Sequence, residues 1–118
     1  MTVGPIFIPP PELPGTGDEV SQAVEFNLPT TTGEVSGLTT AAVPGEYLGY
    51  SVRETSGSAA ATIVLYDNKT AASGTILDEI AIPEGTAVGI CRNRGTGRAV
   101  QNGVWAVITG AIQGNILM

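Results

Sequence analysis

The stretch AATIVLYDNKTAASGTILDEIAI, residues 60–82, decides the class of fold. Ala60 to Tyr66 and Ile76 to Ile82 are short runs rich in β-branched residues, and the segment between them carries Asp67, Asn68 and Gly74, residues that favour turns. Each run is too short for an ordinary helix and has the length of a strand. The same punctuation continues on both sides. Tyr47 to Glu54 is a run that ends in the Ser56-Gly57-Ser58 turn, and Ala87 to Arg92 is another, entered through Pro83-Glu84-Gly85 and left through NRGTG at residues 93–97. The spacing is that of an all-β domain with two packed sheets.

Further along, Val100-Gln101-Asn102-Gly103-Val104 sets Asn-Gly between apolar positions. Because these residues tolerate positive φ, the pattern predicts a tight type I′ hairpin at Asn102 and Gly103. Val104, Ala106 and Ile108 share one face of the next run, and after a break at Thr109-Gly110-Ala111 the alternation resumes with Ile112 and Ile116, giving two final antiparallel strands. Upstream, Val24, Phe26 and Leu28 alternate as a half-buried strand ending at Pro29, followed by a loop at Thr30 to Gly33. Val35 to Val43 is read either as another strand or as a connection wrapping the sheet. No repeat of fixed period is present, which disfavours solenoids and propellers. The expected architecture is one β-sandwich of jelly-roll-like topology over residues 21–118.

Residues 1–20 differ in composition. Pro5, Pro9, Pro10, Pro11 and Pro14 alternate with Ile6, Phe7, Ile8 and Leu13. Proline fixes φ and pushes its predecessor toward extended geometry, so this segment is read as an extended N-terminal arm and not as a helix. Linkers are normally polar. The apolar Ile6, Phe7, Ile8 and Leu13 are therefore expected to be covered, either by the arm's own domain or, the favoured reading, by a neighbouring subunit. The start of the chain lacks a basic region and an unbroken apolar run, so it is read as neither a secretory signal nor a membrane span.

The 118 residues suffice for one domain with its own core, without metal or disulfide support. A formal net charge of −6 argues against nucleic acid as the main partner. The single cysteine, Cys91, has no intramolecular partner and is read as a small apolar residue, in a protein made in a reducing cytoplasm.

The absence of histidine removes serine–histidine and cysteine–histidine catalysis together with the commonest metal ligand. Asp67 with Asn68 is too sparse for calcium. Asp78 and Glu79 are adjacent and point to opposite faces of a strand, one read as solvated and the other as lying at a subunit contact. No metal, cofactor or catalytic residue is expected. Trp105 alternates with Val104 and Ala106, and packing in or near the core is favoured over stacking on a sugar. Among the basic residues, Arg92, Arg94 and Arg98 fall in the single segment RNRGTGR. They are read either as a solvated loop or as donors to the carboxylates of an adjacent subunit.

The segments YSVRETSGSAAATIVLYDNKTAASGTILDEIAIPEG, residues 50–85, and NGVWAVITGAIQGNI, residues 102–116, resemble small structural proteins encoded among the head genes of tailed bacteriophages. The resemblance is to head decoration, or cement, proteins. It implies a β-sandwich or jelly-roll body, clustering as homotrimers, and binding to the major capsid protein on the outside of the expanded shell. On that reading the protein is a non-enzymatic virion component of the capsid exterior, made in the host cytoplasm, and its partners include neither nucleic acid nor membrane. The alternative is a tail or fibre component that binds a host glycan or receptor through an exposed aromatic platform at Tyr47, Tyr50, Tyr66 or Trp105.

Overall fold

The computed structural model describes residues 23–38 and 45–118, and within them the chain is nearly all β. The proposed arm, with Ile6, Phe7, Ile8 and Leu13, lies outside the described residues. Ten strands follow one another: β1 (Glu25–Asn27), β2 (Gly33–Glu34), β3 (Gly45–Tyr47), β4 (Gly49–Glu54), β5 (Ala61–Tyr66), β6 (Ile76–Ile82), β7 (Ala87–Cys91), β8 (Arg98–Val100), β9 (Trp105–Thr109) and β10 (Ile112–Leu117). They form two four-stranded antiparallel sheets, ordered β1-β10-β4-β7 and β2-β9-β5-β6, and a small two-stranded sheet of β3 and β8.

The alternation of apolar residues sets which face of each strand is buried. Val52, Ile112 and Ile116 from the first sheet and Ala61, Ile63, Leu65, Ile80, Ile82 and Ala106 from the second belong to one contiguous core, which also includes Tyr47, Val100 and Val104. Leu77 joins it through a bulge. Leu65 pairs with Asp78 but Tyr66 pairs with Ile76, so Leu77 is the extra residue and can turn inward out of step with its neighbours.

β5, β6 and β7 occupy the runs expected for them. The predicted hairpin at Asn102-Gly103 does not form. β8 pairs with β3 and β9 pairs with β5 and β2, so the two strands flanking Asn-Gly part company instead of pairing. Gly103 does take a positive φ of 146°, but the turn carries the chain between sheets. The last two strands likewise do not pair with each other: β9 lies in one four-stranded sheet and β10 in the other. Cys91, at the end of an edge strand, is exposed and not packed as a small core residue.

Two close approaches hold the first sheet at β4. A Cβ on Gly49 would stand 1.8 Å from the Ile90 carbonyl oxygen, and one on Gly114 would stand 2.2 Å from that of Ser51. Neither position has room for a side chain.

Candidate functional site

In a chain without histidine the carboxylates are the groups that could do acid–base chemistry. Glu54 ends β4 facing the interior and is only 5% exposed. Its Oε2 accepts the Ser56 N–H at 2.7 Å and the Ser56 hydroxyl, and its Oε1 accepts the N–H groups of Gly57 at 2.7 Å and Gly85 at 2.9 Å. Hydrogen bonds to the ionised form favour that form, so the Ser56 hydroxyl, then Gly85 and the remaining Ser56 and Gly57 N–H groups, hold its pKa down at about 2. A carboxyl so placed remains ionised and cannot serve as a general acid.

Glu46 is used in the same way. Its carboxylate accepts the N–H of Gly95 at 2.9 Å and that of Gly97 at 2.8 Å; these bonds, with Arg94 adding a smaller effect, lower its pKa. Asp67 accepts N–H groups from Gln101 at 3.1 Å and Asn102 at 2.9 Å. Asp78 accepts the phenol of Tyr47 at 2.9 Å, and Glu79 beside it is exposed. Burial, followed by the nearby Asp78 charge, drives the Tyr47 phenol far above its ordinary pKa of 10. Among the described residues no group of three metal-ligating side chains comes together.

The basic segment divides. Arg94 donates to the Met118 carbonyl at 3.1 Å and stands near Glu46. Arg98 opens β8 opposite Tyr47, and Arg92 follows β7, its N–H bonded to the Leu48 carbonyl at 2.8 Å. The three arginines border one loop whose N–H groups are gripped by Glu46. Sequence reasoning missed Glu46, Glu54 and Asp67 as loop anchors. A signal existed for Glu54, whose Ser-Gly-Ser successor places small N–H donors beside it, but nothing local points to Gly85.

A groove of about 540 Å³ opens on the outer face of the β1-β10-β4-β7 sheet. Asn27, Thr30, Ser51, Arg53, Gln113 and Asn115 supply its polar lining. Arg53 donates to the Gln113 side-chain oxygen at 2.7 Å, and no carboxylate borders the groove. It can offer hydrogen bonds and one cation, and it has no acid–base pair.

The other sheet presents a different outer face. Ala106 is fully buried, so its neighbours Trp105 and Val107 point the opposite way. Trp105 is half-buried and belongs neither to the core cluster nor to the partly buried residues packed against it, contrary to the expectation that it packs in or near the core. In register across the strands it stands between Glu34 and Tyr66, with Ile76 beyond, and Val107 stands beside Val64. The result is a strip of mostly half-buried apolar side chains centred on one aromatic pair and bordered by Glu34 and Glu79. Of the other tyrosines, Tyr47 is fully buried and Tyr50 packs against the core, so neither belongs to a platform. No helix among the described residues is long and apolar enough to cross a membrane.

Compared with known proteins, the chain matches no family model, no curated sequence and no solved structure.

Proposed function

We propose that this is a non-enzymatic structural protein of a virion, a capsid decoration protein that binds the major capsid protein on the outer surface of a phage head. The observation that carries the reading is the use made of the carboxylates. Glu46, Glu54, Asp67 and Asp78 bind the chain's own N–H and O–H groups, which fixes the loops on a stiff body and leaves faces and edges as the working parts. A protein that acts by lying on others needs that rigidity, because ordering loops on binding weakens association.

The strand order supports the finer architecture, a jelly-roll sandwich. With β3 and β8 set aside, the remaining strands in chain order run first, eighth, third, sixth in one sheet and second, seventh, fourth, fifth in the other. This is the double-sheet arrangement found in viral capsid and lectin domains. Because folds host many functions, the order supports the reading by analogy alone. Repetition over a symmetric shell would multiply weak contacts, and self-association as a trimer would add to the avidity.

Purified protein mixed with shells that lack it tests the proposal. Saturable binding to the shell exterior and a rise in shell melting temperature are expected, and the absence of both would refute it.

A second reading is favoured by the Trp105–Tyr66 pair on the outer face: a tail or fibre component that recognises a host glycan, the aromatic rings stacking on sugar. It predicts glycan-array binding that Trp105→Ala abolishes while shell binding is absent.

A further inference from the structure

We infer that β7 is a self-pairing edge, through which two copies of this chain join their β1-β10-β4-β7 sheets into one continuous sheet across a two-fold axis at Gly89. Ala87, Val88, Gly89, Ile90 and Cys91 include no charge and no proline, the usual guards of an exposed edge. Val88 is half-buried and Ile90 is 43% exposed. The opposite sheet ends in β6, which carries Asp78 and Glu79. β7 is the unguarded edge of the pair.

The hydrogen bonds to β4 fix which groups remain. Glu54 N–H bonds the Thr86 carbonyl at 2.9 Å and Arg92 N–H bonds the Leu48 carbonyl at 2.8 Å. In an antiparallel ladder such pairs recur at every second residue, so 86, 88, 90 and 92 turn toward β4, while Ala87, Gly89 and Cys91 turn their N–H and C=O away from it. Among the described residues no strand takes these groups.

A second copy fits them in one register. With Gly89 opposite Gly89, Ala87 faces the second copy's Cys91, and every outward-turned residue of β7 meets another, exchanging both backbone bonds. The positions between them, which carry closer side chains, then set Val88 against the second copy's Ile90, covering the exposed apolar residues with β-branched pairs. The charges agree as well. In this register Thr86 faces the second copy's Arg92 and Glu84 lies two residues further out, in the turn before β7, so a chain of net charge −6 meets its copy through a neutral strand flanked at either end by opposite charges. A single isologous contact closes on itself. The inference does not rest on the capsid reading, and it replaces the trimer with a two-fold dimer as the form of self-association.

The test uses the full chain. Sedimentation and native mass measurement should give a dimer, with Ile90→Lys monomeric yet unchanged in circular dichroism. In a Cys91→Ser background, oxidation should link Val88→Cys/Ile90→Cys into a covalent dimer and leave Ile90→Cys alone unlinked. A wild-type monomer or trimer, a dimer undisturbed by Ile90→Lys, or crosslinking by Ile90→Cys alone would overturn it. So would a monomer whose Ala87, Gly89 and Cys91 amides resist hydrogen exchange, which would mean that the chain's own remainder covers the edge.

Discussion

The side chain of Glu54 accepts the backbone N–H of Gly85, 31 residues further along, at 2.9 Å, and so ties the turn after β4 to the turn before β7. The same carboxylate closes its own Ser56-Gly57 turn. Glu54→Ala therefore releases two turns at once. The melting temperature should fall, and hydrogen exchange should accelerate at Ser56, Gly57 and Gly85 together. Acceleration at the near turn only would show that the long-range bond does not hold in solution.

Acid should weaken the protein through the same groups. Glu54, at about 2 against an ordinary 4.5, and Glu46, also lowered, bind a proton less readily in the folded chain than in the unfolded one. Their stabilisation is complete above the ordinary value and is lost as pH falls from about 4.5 toward about 2. Urea melts across that window should show falling stability, with a shallower slope in Glu54→Gln. Equal slopes in the two proteins would count against the tether.

Tyr47 predicts the opposite limb. Its phenol is pushed up, so the folded chain holds that proton and stability is present below the ordinary value of 10 and declines as pH rises beyond it. Subtracting the ultraviolet titration of Tyr47→Phe from that of the wild type should leave no tyrosinate signal near pH 10 while the protein remains folded. At neutral pH Tyr47→Phe should cost about 2 kcal/mol, since it removes a hydrogen bond to a carboxylate at a buried site.

Close approach of the backbone gives a steric prediction. Gly49→Ala drives a methyl group into the Ile90 carbonyl, which cannot move without breaking the β4–β7 ladder, and should cost about 3 kcal/mol or prevent folding. Gly57→Ala is the contrasting case: nothing lies within 4 Å of the added methyl, and only the positive φ of 71° opposes it. It should cost about 1 kcal/mol in the same denaturant melts.

Local signals in the sequence located strands well and pairings poorly, for a physical reason. Val, Ile and Thr between turn residues mark where a strand lies, and β5, β6 and β7 follow the runs Ala60–Tyr66, Ile76–Ile82 and Ala87–Arg92 closely. Asn102-Gly103 permits a turn, but what the turn joins depends on β3 and β5, which are distant in sequence. Trp105 shows the same division. Alternation correctly grouped Val104, Ala106 and Ile108 on one face, and that grouping itself sends Trp105 to the other, so the alternation on which the expectation of packing in or near the core rested points the opposite way. Apart from the bonds of Glu54 to its own Ser56-Gly57 turn, the anchoring carboxylates were illegible, because a bond such as Asp67 to Asn102 exists only once the sheets have met.

The order of pairing bears on how the molecule assembles. Among the described residues β5 and β6 are the one pair of consecutive strands that lie side by side, whereas β1 must find β10 across nearly the whole chain. Ring closure grows more demanding with separation, so the β5–β6 ribbon is the natural nucleus and the β1–β10 seam the last to zip. Slow maturation with a late-closing seam would leave newly made copies time to meet before either is finished.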